Sequence, residues 1–130
     1  MDLILPDTGF APDNTKSIFL AGSIEQGRAE DWQTAVTEEL QDCEGTIFSP
    51  RRKDWDSTLS NTEEFKPFRD QVEWELEHIN KADAVLFYFQ PGTKSPISLL
   101  EYGLILGNRE NQKIWTVCPE GFWRKGNIDI

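Results

Sequence analysis

Positive charge is scarce in this 130-residue chain: 13 Lys and Arg stand against 23 Asp and Glu, a formal net charge of −10. A surface this acidic argues against a polynucleotide partner, whose binding depends on neutralising phosphates. It leaves room for a small phosphate held by a few local groups, and Arg51, Arg52 and Lys53 are clustered. Cysteine is nearly absent. Cys43 and Cys118 are far apart and lack metal-ligand spacing, so two reduced, buried thiols in a cytoplasmic protein are expected rather than a disulfide. With one histidine and no CxxC, no metal site is expected. Long apolar runs are missing too. None approaches the roughly 20 residues of a membrane span, and nothing resembles a secretory leader, so no membrane contact is expected.

What is present is large apolar side chains, five Trp and eight Phe, enough for a core without staples. The length points to one domain over residues 1–130. Leu3-Ile4-Leu5 reads as an arm or an added edge strand within residues 1–14. Ser17–Ala21 is a short apolar run ending in Gly22-Ser23, the profile of a buried strand entering a loop. Gly27–Cys43 reads as an amphipathic helix with Trp32, Val36 and Leu40 in register, and Gly45–Phe48 as a second strand. Residues 51–66 are polar with scattered aromatics and read as a long loop near the site, either functional or mobile.

Pro67–Lys81 reads as a helix with Phe68, Val72, Leu76 and Ile79 on its apolar stripe and Glu75 among them. Asp83–Phe89 is an apolar run without alternation, as a central parallel strand requires. Ser95-Pro96 then opens an apolar helix that stops at Gly107-Asn108. Lys113–Cys118 is another strand, and Asn127–Ile130 a last short one. Strand and helix alternate. The expected fold is therefore α/β: a three-layer, doubly wound, Rossmann- or flavodoxin-like, mostly parallel sheet of four to five strands. Ligands in such folds bind at the carboxyl ends of the strands. The loops after Ala21, Phe48 and Phe89 converge there.

Those loops and the helices after them hold the candidate site residues. Gly22 and Gly27 permit close backbone approach, and Arg28 adds a charge; the segment is either an anion site or a tight strand-to-helix turn. It is neither a Walker A sequence nor a dinucleotide GxGxxG. Ser95 is either a hydroxyl pocket or a simple helix cap. Glu101 lies about one and a half turns into its helix, on one face with Ile97, Leu104 and Ile105. A glutamate among such neighbours is costly to bury without partners. It is either a half-exposed residue, with Ser98 and Tyr102 marking a wetter side, or an acid with a task. The helix dipole favours its ionised form there. Glu75 is either a member of a solvated acidic group with Glu73 and Glu77 or a second acid. His78 reads as a surface residue. Trp32, Trp74 and Trp115 read as core, whereas Trp55 in the polar loop is a candidate for stacking on a ligand. Two carboxylates beside a hydroxyl or phosphate pocket suggest sugar chemistry, in which one acid attacks the anomeric carbon.

Ile18-Phe19-Leu20-Ala21-Gly22-Ser23-Ile24 with Gly27-Arg28, the helix Ser95–Gly107 with its Glu-x-Gly, and Ala82-Asp83 resemble the nucleoside 2-deoxyribosyltransferase superfamily over about residues 17–118. Within it the first motif is most similar to that of the 2'-deoxynucleoside 5'-monophosphate N-glycosidases. The resemblance implies an enzyme that cleaves the N-glycosidic bond of a nucleoside or nucleotide through a covalent glycosyl-Glu101 intermediate. No cofactor is implied. Glu75 falls where the family usually has an acid/base aspartate, and Ser95 where it contacts the sugar 5'-hydroxyl or phosphate. Gly22, Ser23, Arg28 and Ser98 would line the pocket. The family completes its site from a neighbouring subunit, which implies a homodimer or higher homo-oligomer, with Asn127 as the candidate residue. Phe19 stands where many transferases have a tyrosine that orients the nucleophile, a task that would fall to Tyr102 or Ser23. Transferase, hydrolase and a nucleotide-binding sensor without turnover are the readings carried forward.

Overall fold

Short runs rich in Ile, Leu, Val and Phe, each bounded by polar or glycine-containing turns, assemble as a parallel sheet between helices. The computed structural model describes residues 2–6, 16–24, 30–51, 66–108 and 112–130. The elements are β1 (Asp2–Ile4), β2 (Ser17–Gly22), α1 (Trp32–Glu39), β3 (Thr46–Phe48), α2 (Lys66–Lys81), β4 (Ala84–Tyr88), α3 (Pro96–Asn108), β5 (Lys113–Val117) and α4 (Lys125–Asp129). The sheet has five strands in the order β1-β3-β2-β4-β5, and every pairing is parallel. The N-terminal segment is thus an edge strand, with Ile4 opposite Phe48.

Each face of the sheet has its own core. Phe19, Ala21, Val85, Phe87 and Phe89 meet Ile79 of α2 and Ile105 of α3 on one side. Leu20 and Ile47 meet Trp32 of α1 on the other, with Leu86 and Tyr88 at the margin. Asp83 explains the start of two strands at once. Its carboxylate accepts from the Ser17 backbone N–H at 2.8 Å, and its own N–H donates to Ser17 Oγ at 3.2 Å. This fastens β2 to β4 at the end opposite the candidate site.

Several elements differ from expectation for identifiable reasons. α2 is rotated relative to the stripe read from its apolar residues. Gln71 and Ile79 are buried while Leu76 is exposed, because Trp74 and His78 stack at 4.3 Å and lie against Phe19 and Phe48. His78 is accordingly half-buried and not a surface residue. Residues 127–129 belong to helix α4, not to a strand: Lys125 and Asp129 pair across one turn at 2.8 Å, and Ile128 packs against the core. Trp115 is half exposed because β5 is an edge strand and α1 covers β2 and β3. Both cysteines are free, Cys43 at the surface. Among the described residues no helix is long and apolar enough to cross a membrane.

Gly22 ends β2 at φ 147°, opposite Tyr88 of β4. A β-carbon there would run into the Tyr88 carbonyl oxygen and lie 2.9 Å from the Trp32 ring. Neither neighbour is free to retreat, since one is backbone and the other's indole N–H donates to the Ser23 carbonyl at 3.0 Å. Gly22→Ala is expected to destabilise the fold by about 2 kcal/mol or more, from overpacking and backbone strain together. A urea unfolding curve measures it.

Candidate active site

The order β3-β2-β4 means that the chain leaves β2 to one side for β3 and lays β4 on the other. The direction in which the chain adds its parallel strands reverses between β2 and β4, which places the expected crevice beyond Gly22 and Tyr88. Three hydroxyls gather there. Ser23 Oγ accepts from the Gln90 N–H at 2.9 Å and contacts Thr93 Oγ1 at 2.8 Å. It also meets Ser95 Oγ, and Thr93 bonds Ser95 at 2.9 Å while donating to the Gln90 carbonyl at 2.8 Å. Ser23 is fully buried, so it serves the pocket by holding Ser95 and Thr93. The sequence reading did not single out Thr93.

Ser95 has φ 48°, the one non-glycine with a left-handed backbone among the described residues. Such a conformation costs on the order of 1 kcal/mol and persists where its surroundings over-determine it. Here they do: the carbonyl accepts the Leu99 N–H at 3.0 Å as the first bond of α3, and the hydroxyl is held from two sides. A brace lies outside it. The Trp123 indole N–H donates to the Lys94 carbonyl at 2.9 Å, and the Lys94 and Arg124 cations sit over the Trp123 ring at 5.8 and 4.7 Å.

On α3, Ser98, Glu101 and Ile105 point inward, at helical spacings of three and four. Glu101 is only 8% exposed, which excludes the half-exposed alternative. Its expected face-mates Ile97 and Leu104 point outward, and Leu100 is 70% exposed. Burial, and after it the Glu75 charge, together push the Glu101 carboxyl up to about 8. Glu75 on α2 is raised to about 7 by burial, opposed by a hydrogen bond from Gln71. Two acids from different helices therefore share one water-poor space, and each resists ionisation while the other is charged. This reverses the expectation from the helix dipole, because desolvation outweighs it. Gln71 was also missed, although it lies one turn before Glu75, the spacing at which a helical amide reaches a carboxylate.

Tyr102 Oη bonds Thr116 Oγ1 at 3.1 Å, and Ser23 is engaged by its hydroxyl neighbours, so neither orients Glu101. No described residue donates a hydrogen bond to the Glu101 carboxylate. Asn127 is exposed on α4. Arg28 and Trp55 lie outside the described residues. Among those described, no group of three His, Cys, Asp or Glu side chains is placed to hold a metal.

A family model described as "nucleoside 2-deoxyribosyltransferase like" matches residues 15–122. The chain belongs to that family. No curated protein matches the sequence significantly. The matched span starts just before β2 and ends at Phe122, so it takes in the hydroxyl cluster and both buried acids of this deoxyribosyltransferase-like chain, and leaves β1 and α4 outside.

The acids impose a sign on stability. Both are protonated in the folded chain at a pH where an unfolded glutamate, near 4.5, has ionised. The folded state then binds more protons than the unfolded one, so stability falls as pH rises from about 4.5 toward about 8. Glu101→Gln keeps the neutral form at every pH. Its unfolding midpoint should match the parent near pH 5 and exceed it increasingly up to pH 8, as thermal melts across that range would show.

Proposed function

We propose that this deoxyribosyltransferase-like protein cleaves the N-glycosidic bond of a nucleoside or nucleotide and passes the sugar to a second base or to water. The observation that supports the reading is the pair of acids with raised pKa values, Glu75 on α2 and Glu101 on α3, the Glu75 charge acting on Glu101. A Glu101 carboxylate oxygen attacks the anomeric carbon, the carbon–nitrogen bond electrons go to the departing base, and Glu75 gives that base its proton. In the second half the acceptor attacks the same carbon, Glu75 takes the acceptor's proton, and Glu101 leaves as a carboxylate. The pair needs one proton in total. In the unliganded chain that proton favours Glu101; moving it to Glu75 conserves the charge of the pair. The positive charge that develops on the sugar draws the anion to Glu101.

Ser95, positioned by Ser23 and Thr93, would take the sugar's 5' end, either its hydroxyl or its phosphate. Arg28 would add charge to a phosphate, and Ser98 lies one turn before Glu101, where it would face the sugar. Trp55 would stack on the base. Gly22 keeps the floor of the crevice closed. The exposed stripe Ile97, Leu100 and Leu104 on α3 suits a second copy of the chain, which would bring Asn127 to the site. The cytoplasm suits such a substrate. A sensor that binds nucleotide without turnover is the second reading, and it is favoured by Glu75 in place of the family's usual aspartate and by Phe19 in place of a tyrosine.

Incubation with deoxynucleosides and their 5'-monophosphates, with and without a second base, should release free base. Glu101→Ala and Glu101→Gln should lower that rate on the order of a thousandfold or more. A sugar adduct on the peptide bearing Glu101 should accumulate when the acceptor is withheld. Equal inertness of parent and variants with unchanged nucleotide binding would decide for the sensor. Light scattering should report at least a dimer, and Leu100→Asp should shift it to monomer.

A further inference from the structure

Gln71 is 7% exposed on α2, and its side chain makes two bonds with one nitrogen. Nε2 donates to Glu75 Oε1 at 2.8 Å and to the Pro50 carbonyl at 3.2 Å. A primary amide nitrogen has two hydrogens, so both are committed. The Pro50 carbonyl accepts and never donates, which fixes the orientation of the amide: a flipped Gln71 would set its own oxygen against it. Glu75 Oε1 is thereby held as an acceptor.

The consequence concerns the other oxygen. A carboxyl group carries its proton on one oxygen, and Oε1 already receives one from Gln71. We infer that Gln71 is a positioning residue which, clamped by the Pro50 carbonyl, reserves Oε2 of Glu75 for the proton exchanged with the departing base. The inference rests on the proposed role of Glu75 as the acid. It also ties the Glu75 carboxyl to Pro50, two residues past the end of β3, through one amide. The titratable neighbour of Glu75 from α3 is Glu101, and His78 lies one turn along α2 with its Nδ1 2.8 Å from the Trp74 carbonyl. A probe that reads Glu75 itself is therefore needed.

Isotope-edited NMR of the ligand-free protein supplies one. With pH, one of the two Gln71 side-chain protons should shift with the same midpoint as the Glu75 carboxyl carbon, while the other stays nearly fixed. Two pH-independent Gln71 protons would overturn the inference, and this measurement needs no variant. Gln71→Met removes the donor and keeps the bulk. It should raise the Glu75 midpoint by about one pH unit and lower kcat about tenfold with KM within about twofold. An unchanged midpoint in a folded variant would overturn the inference, since a merely structural role would move thermal stability alone. Should Gln71→Met not fold, Gln71→Asn, one methylene short of both acceptors, should give the same upward shift. Base release by the parent is read separately. Release without the Gln71 coupling removes Gln71 from the site, whereas coupling without release removes the reaction and Glu75's role in it.

Discussion

The close seam between β2 and β4 is the constraint on which the site depends. Asp83 fixes the two strands at one end, and Gly22 lets them touch at the other. With the ends in register, the Ser23 N–H reaches the Tyr88 carbonyl at 3.0 Å, and the Ser23 hydroxyl receives the Gln90 N–H. Everything beyond that point is hung from this junction: Thr93 and Ser95 by their hydroxyls, then α3 by the carbonyl of Ser95. Burying Ser23 creates hydrogen-bonding demands, and the cluster meets them internally. That is why an all-hydroxyl arrangement survives where water is excluded.

The same exclusion of water explains the acids. A carboxylate near a helix start gains a fraction of a kcal/mol to about 1 from the dipole, whereas burial costs more than that. The balance falls on the neutral side for Glu101, and the Glu75 charge adds to it. Gln71 tips the pair the other way at Glu75. A difference of one proton between two acids is therefore set by three local facts: depth, mutual repulsion and a single amide.

Much of this was legible in the chain. The helix after Ser95-Pro96 and its end at Gly107-Asn108 follow from local signals, and the observed α3 runs Pro96–Asn108. The unbroken apolar run at residues 83–89 gave away the central strand β4. What stayed illegible is what depends on packing between elements. The inward face of α2 was misread because apolar count favoured Leu76, whereas a buried amide and a stacked Trp74–His78 pair decide the rotation. The tail, read as a short strand, is a helical turn in which Ile128 finds the core and Ile130 does not. Glu101 could be recognised as an anomaly, but of the apolar neighbours that drew attention to it only Ile105 shares its inward face, together with Ser98, while Ile97 and Leu104 point outward. Thr93 carried no pattern of its own.

Helix α3 has two unlike sides. Glu101 is buried on the inner side, and Leu100, its predecessor in the chain, is turned out to solvent with Ile97 and Leu104. A helix 13 residues long moves as a stiff rod, so its outer and inner sides cannot shift independently. A partner resting against the leucines would therefore also set the depth of the carboxylate. A substitution on the outer side then cannot be interpreted from surface contacts alone: a displacement there arrives inside as a change in acidity.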